Sequence, residues 1–205
     1  MTGWQRADPP IILASGSSAR RTLLAAAGIT FETRIAAVDE AALKDSARAE
    51  GLSATDTAIA LAELKARRVA RLAPTALVIG CDQLLVCGET WYDKPTSIAD
   101  GRAQLQSLRG RRHTLVTAIV CWRGDTRVWH HVAQPQLTMR DMSDDFIDAY
   151  LAAEGDAVTT TVGAYRLEGL GAQLFDAIAG EHAAILGLPL LALLGFLRQQ
   201  GMLLR

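Results

Sequence analysis

Apolar and polar positions along the chain alternate between strand-like and helix-like periods. The apolar run Ile11-Ile12-Leu13-Ala14 predicts a strand that empties into a small, hydroxyl-rich loop. Residues 20–27 read as a short helix stopped by Gly28. A second strand is expected over 30–36, followed by the acidic turn Val38-Asp39-Glu40. Residues 55–72 carry the pattern of a long amphipathic helix that ends before Pro74. Residues 76–81 form a fully apolar strand that stops at Asp82-Gln83, and 84–87 stay extended up to a turn at Gly88-Glu89.

Residues 98–108 read as helix, closed near Gly110. The stretches 113–123 and 127–140 predict a long hairpin around Gly124-Asp125. Ser143 is the expected cap of a helix over 143–153, with Asp144 and Asp145 in its first turn. The glycine-spaced segment 163–171 leads into a strand near 173–178, and a last helix covers 188–199. This alternation defines an α/β class. Strands of similar length occur in both halves, so if two lobes form, the chain must cross between them more than once.

Composition narrows the function classes. The chain has 205 residues, half of them hydrophobic, enough for one compact domain or two small lobes. A net charge of −1 offers no footprint for a nucleic-acid backbone or an anionic membrane, so any phosphate site must be local. The residues before Ile11 hold Trp4, Arg6 and Asp8 and no signal-length apolar core, and the apolar stretch 183–197 is too short to span a bilayer. Cys81, Cys87 and Cys121 lie in apolar runs without metal-ligand spacing, which predicts buried free thiols and a cytoplasmic protein. The four histidines have no ligand spacing and read as structural.

The chemistry concentrates in a few places. Ser15, Gly16 and Ser17 lead into a helix start that carries Arg20 and Arg21. Free N–H groups, the positive helix end and guanidinium forks together make a polyphosphate cradle. The same residues also read as an ordinary βα turn with two exposed arginines, and on this segment alone neither reading prevails. The spacing is neither a P-loop nor GxGxxG. Asp82 is placed where a strand ends, the position at which open α/β sheets bind ligands. A carboxylate there can hold a divalent cation or orient water. Glu40 is a second acid after another strand, and Lys94 precedes Pro95 in a third loop. Lys65 lies on the long helix, where an ordinary surface lysine is the competing reading.

Taken together, the segments Leu13-Ala14-Ser15-Gly16-Ser17, Arg20-Arg21, Val38-Asp39-Glu40, Leu64-Lys65-Ala66, Ile79-Gly80-Cys81-Asp82-Gln83, Lys94-Pro95, Thr117-Ala118, Gly163-Ala164-Tyr165 and Gly187-Leu188-Pro189-Leu190 resemble the Maf family of nucleotide pyrophosphatases. The resemblance runs from Ile11 to Gly201. It implies a mixed, twisted α/β sheet in two lobes with a central cleft, of the Maf and inosine triphosphate pyrophosphatase kind, as a single domain over 1–205. It implies hydrolysis of a nucleoside triphosphate to the monophosphate and pyrophosphate, with Mg2+ or Mn2+ as cofactor and a homodimer as the assembly. By carry-over, Asp82 is the catalytic acid/base, and Glu40 with Asp82 holds the metal. Ser15, Ser17, Arg20, Arg21, Lys65 and Lys94 hold the phosphates.

Departures from the family pattern bear on the base. Ser18 stands where proline is usual, and Ala19 where arginine or tryptophan is usual, which removes a stacking surface for a cationic base. Members acting on dTTP and UTP carry threonine where this chain has Gln83 and glutamine where it has Glu168. Gln83 with Glu168 resembles the subgroup that prefers 7-methyl-GTP, and a glutamate suits the two donors on a guanine edge. The alternatives are a dTTP/UTP pyrophosphatase of the same family, a nucleotide-binding regulator of cell division with little catalysis, and a phosphohydrolase releasing orthophosphate.

Overall fold

The computed structural model describes residues 3–204. The chain divides into two compact units. One takes the chain up to Gln83, then Thr117–Ala133, then everything from Glu181 onward; the other takes Leu84–Val116 and Gln134–Gly180. Chain continuity therefore passes between them four times, as interleaved strands in both halves require.

The first unit begins with β1 (Ile11–Leu13), α1 (Ser18–Ala26), β2 (Glu32–Thr33), α2 (Glu40–Ala49) and α3 (Ala54–Ala70). Strand β3 (Leu77–Cys87) starts in this unit and continues into the other. β1 pairs in parallel with both β2 and β3, with Ile11 opposite Leu77 and Leu13 opposite Ile79. Strand β3 is followed by β4 (Thr90–Tyr92), α4 (Ile98–Leu108) and then β5 (Arg112–Arg123), which ends in the first unit and pairs antiparallel with β6 (Thr126–Ala133). The sheet is thus mixed, and β3 and β5 are neighbours in it.

Period two along β3 sorts the first unit's core. Leu77, Ile79 and Cys81 join Leu24 of α1, Ile119 and Cys121 of β5, and Leu193, Phe196 and Leu197 from the C-terminal helix. The opposite face carries Val78, Gly80 and Asp82 toward α3. A Cβ on Gly80 would lie 2.1 Å from the Ala62 carbonyl oxygen, so only glycine lets helix and strand approach this closely. On α3, Ala62, Lys65, Ala66 and Val69 follow the i, i+3, i+4, i+7 spacing of one buried face. Lys65 is therefore on the strand-facing side, and is buried.

In the second unit, β4 pairs antiparallel with the end of β3. The start of β5 pairs with β7 (Gln136–Met139), and β7 pairs with β8 (Phe175–Ala179), both antiparallel. Helix α4 packs beside α5 (Asp144–Glu154), joined by the Arg102–Asp148 fork at 2.6 and 3.1 Å. Short 3₁₀ turns cover Gly155–Thr160, Val162–Ala164 and Leu170–Leu174. The chain then returns to the first unit through α6 (His182–Ile185) and α7 (Leu190–Gln199).

Several sequence expectations need correction. The strand expected over 30–36 shrinks to Glu32–Thr33. Glu40 is not in a turn after a strand but opens α2, whose cap is Asp39: its carboxylate accepts the Ala42 N–H at 3.0 Å. The strand over 76–81 does not stop at Asp82-Gln83; β3 runs through both residues, so Asp82 is a mid-strand carboxylate. The second arm of the hairpin splits at Gln134-Pro135, because proline offers no N–H to the ladder. The last helix begins at Leu190, after Pro189. The α4 and α5 expectations and the buried free cysteines agree with the structure.

Candidate active site

The sharpest cluster follows from the two periodicities just described. Asp82 points from β3 toward the α3 face that carries Lys65, and the Lys65 Nζ donates to Asp82 Oδ1 at 2.6 Å. Glu40, at the first position of α2, reaches the same ammonium, with Oε1 at 2.7 Å. One ammonium thus sits between two carboxylates from different elements. The Asp82 side chain is 5% exposed and the Lys65 side chain 11%, so this pair is held away from water, whereas Glu40 is half open. The loop before α2 is tied to α3 by Arg68, whose Nη1 donates to the Ala37 carbonyl oxygen. Asp39, as cap, fixes where α2 starts. These two residues decide where Glu40 sits, and neither was among the expected site residues. The Asp39 cap and the Gly51 stop were the signals that could have revealed α2.

The opening loop departs from the reading with two exposed arginines at Arg20. Ser17 caps α1, accepting the Arg20 N–H at 3.4 Å, and Ser15 Oγ accepts the Ser17 N–H at 3.3 Å. Arg20 is only 9% exposed. Its Nε donates to the Gly187 carbonyl at 2.8 Å, and its Nη1 donates to Ser15 Oγ and the Cys81 carbonyl, each at 3.0 Å. It is a bracket joining the loop, β3 and the segment after α6. Arg21, one residue on, is exposed, and Ala19 is partly so. The expectation that an arginine here is a surface group with no part in folding is overturned for Arg20. A charged side chain is buried only with hydrogen-bond partners, and here three acceptors meet Nε and Nη1.

Gln83 grips the same returning segment. Its Nε2 donates to Thr117 Oγ1 at 2.8 Å and to the carbonyls of Ala184 and Ile185 at 3.1 and 3.0 Å. Thr117 Oγ1 donates in turn to the Ala184 carbonyl at 3.0 Å. Gly187 has φ +96°, and a Cβ there would stand 3.0 Å from Arg20 Nε. Arg20, Gln83 and Thr117 together fix the backbone over 184–187. The amide nitrogen of Gln83 is engaged within the protein, which was not legible from its neighbours in sequence. Burial pushes the Cys81 thiol up to about 11, even with Arg20 and Lys65 pulling the other way.

The expected site residues therefore divide. Ser15, Ser17, Ala19, Arg20, Arg21, Glu40, Lys65, Asp82 and Gln83 belong to the first unit. Lys94 and Glu168 belong to the second, and both are exposed. Among the described residues, no group of three or more His, Cys, Asp or Glu side chains could hold a metal ion. Glu40 and Asp82 nevertheless converge on one cation, Lys65. Two carboxylates, completed by water and phosphate oxygens, suit magnesium, which rarely takes an all-protein cage. The residues fit a cation bound together with a polyphosphate.

The family model described as Maf-like protein matches residues 10–200, and the chain belongs to the Maf family. A "Nucleoside triphosphate pyrophosphatase" of Granulibacter bethesdensis is 57% identical over 189 residues, covering 92% of this chain and 96% of that one. A protein of the same name from Rhodospirillum rubrum is 52% identical over 196 residues, covering 96% and 97%. A "7-methyl-GTP pyrophosphatase" of Rhizobium meliloti is 50% identical over 193 residues, covering 94% and 97%. The mixed α/β sheet agrees with the fold that the resemblance implied. Among the described residues, no helix is long and apolar enough to cross a membrane.

Proposed function

We propose that this nucleoside triphosphate pyrophosphatase, a hydrolase, cleaves between the α- and β-phosphorus, releasing a nucleoside monophosphate and pyrophosphate, and that it prefers a 7-methyl-GTP-like base. The observation that carries the reaction is the pair of carboxylates converging on one ammonium, Glu40 and Asp82 on Lys65. Glu40 and Asp82 would hold a divalent cation, which would supply positive charge against the phosphates. Asp82 takes the proton of the attacking water as that water bonds to the α-phosphorus. Lys65 compensates the two acids before substrate binds and shares its charge with phosphate oxygens afterwards. Ser15, Ser17, Arg21 and Lys94 supply donors to the phosphates. Arg20 contributes chiefly by holding Ser15, whose Oγ it contacts at 3.0 Å.

The base preference rests on Glu168, an acceptor-only group suited to the adjacent N1–H and 2-amino donors of guanine. A pyrimidine keto oxygen there would face a carboxylate, at a cost of about one to two powers of ten in selectivity. The Rhizobium meliloti relative's name is consistent with this direction.

A panel of triphosphates with magnesium or manganese, read as pyrophosphate against orthophosphate release, tests the reaction. Release of orthophosphate alone, or no turnover, would overturn it. Asp82→Asn keeps the shape but cannot take a proton, and should lower turnover by roughly two to four powers of ten with the fold intact. UTP or dTTP outrunning every purine substrate would overturn the base preference and leave the reaction standing.

A further inference from the structure

Glu154 is placed against two ordinary rules. It is the last residue of α5, where the helix dipole disfavours negative charge, and its side chain is 7% exposed. A carboxylate so placed needs compensating partners. It has two, and they lie on either side of Glu168 in the chain. Arg166 Nη1 donates to Glu154 Oε2 at 3.3 Å, and the Leu170 N–H donates to Oε1 at 3.3 Å. The segment between them is a tight turn: the Gly169 N–H donates to the Arg166 carbonyl at 3.1 Å. It also folds back on itself, since a Cβ on Gly171 would lie 2.4 Å from the same carbonyl oxygen. Arg166 then turns its Nε toward Glu168 Oε1, 3.5 Å away.

We propose that Glu154 is a positioning residue for base selection, clamping both ends of the turn that carries Glu168, while Arg166 orients the Glu168 carboxylate itself. Nothing in the reaction uses Glu154 directly. Its two carboxylate hydrogen bonds both go to the segment 166–170, and that segment displays one carboxylate at its tip. Arg166 gives the tip a donor beside the acceptor, so the pair offers a guanidinium and a carboxylate side by side. A guanine edge presents the complement, the O6 acceptor beside the N1–H and 2-amino donors. The inference rests on the reading of Glu168 as the group that meets the base.

The test compares wild type with Glu168→Gln, Glu154→Gln, Arg166→Ala and Arg166→Lys, each measured with 7-methyl-GTP and with UTP. The Glu154 amide keeps an acceptor for the Leu170 N–H but no longer matches the charge of Arg166. Glu154→Gln should lower the kcat/KM ratio of 7-methyl-GTP to UTP about tenfold, the scale of one misplaced hydrogen-bonding group. The change should appear as a raised KM for 7-methyl-GTP, with kcat for UTP unaltered. Arg166→Ala should act in the same sense, and Arg166→Lys should keep part of the preference through its charge. Thermal melts of each variant accompany the kinetics. If Glu154→Gln does not fold, the two Arg166 variants decide from the other side of the contact. If Glu168→Gln removes the preference while the Glu154 and Arg166 variants keep it, or lose both substrates equally, the positioning role is refuted and the base reading stands. If Glu168→Gln leaves the ratio unchanged, the base reading fails and the positioning role with it.

Discussion

Arg20→Ala separates a bracket from a surface group by magnitude. The substitution removes the donors to Gly187 O at 2.8 Å and to Ser15 Oγ and Cys81 O at 3.0 Å. Arg20 is 9% exposed, so water does not replace those donors freely. Hydrogen bonds from a charged group contribute about 1.5–3 kcal/mol each, and a buried carbonyl left without a partner costs about 1–3 kcal/mol. The Ser15 hydroxyl can turn to another partner, whereas the two carbonyls cannot move without their strand and loop. A loss of about 3–5 kcal/mol follows, which for a chain of this size lowers the melting temperature by roughly 6–20 °C.

The assay is urea and thermal unfolding of wild type, Arg20→Ala and Arg20→Lys, without nucleotide. Lysine keeps the charge but has no planar fork to serve three acceptors on different segments, so it should recover less than half of the loss. A melting temperature within about 2 °C of wild type for Arg20→Ala would refute the reasoning, because an exposed arginine contributes only about 0–1 kcal/mol. Its activity should also fall. The expected cause is displacement of Ser15 and of segment 184–187, so addition of guanidinium ion should restore stability and turnover together.

How much of this was legible in sequence depended on whether the deciding contact was local. The caps at Ser17, Ser53, Ser97 and Ser143 reach only three residues along the chain, to residues 20, 56, 100 and 146, and the helices they start fall within one or two residues of the expectation. Helix α2 has an equally local cap at Asp39, but Val38-Asp39-Glu40 also fits an acidic turn, so the local signal is ambiguous there. Long-range contacts were hidden. Arg20 meets its carbonyl 167 positions away, and Gln83 meets carbonyls 101 and 102 positions away. No pattern near residue 20 or residue 83 records those partners. Lys65 stands between the two cases. Its neighbours Ala62, Ala66 and Val69 mark the buried face of α3, and that periodicity alone distinguishes it from an ordinary surface lysine. Asp82 lies in mid-strand and not at a strand end: its partner on α3 comes from the period-two face it shares with Gly80, not from a terminus.

Lys65→Met leaves Glu40 and Asp82 facing each other without their cation, and should cost about 3–5 kcal/mol of stability. Combining it with Asp82→Asn should recover part of that loss in an unfolding cycle; strict additivity would mean that the pair is uncoupled. Cys81, Cys87 and Cys121 are buried, and burial raises the Cys81 thiol to about 11 and Cys121 well above the usual range. A thiol titration with a disulfide reagent at pH 8 should find none reactive in the native protein and three after unfolding; a fast-reacting native thiol contradicts this. His113 contributes to the pH dependence of stability. It is 1% exposed, its Nε2 lies 2.9 Å from the Tyr165 hydroxyl, and its Nδ1 has no partner among the described residues. Burial lowers its pKa from 6.5 to about 4. Between those values the unfolded chain binds the proton and the native chain does not, so stability rises with pH there. The contribution is complete above pH 6.5 and falls as the pH drops through 6.5 toward 4. At 1.36 kcal/mol per pH unit, lowering the pH from 7 to 5 should remove about 2 kcal/mol through this residue. His113→Gln shifts the overall stability but has no proton to gain, so its stability curve should be flatter by that amount over the same range. Parallel curves for the two proteins would show that His113 carries no share of the acid sensitivity.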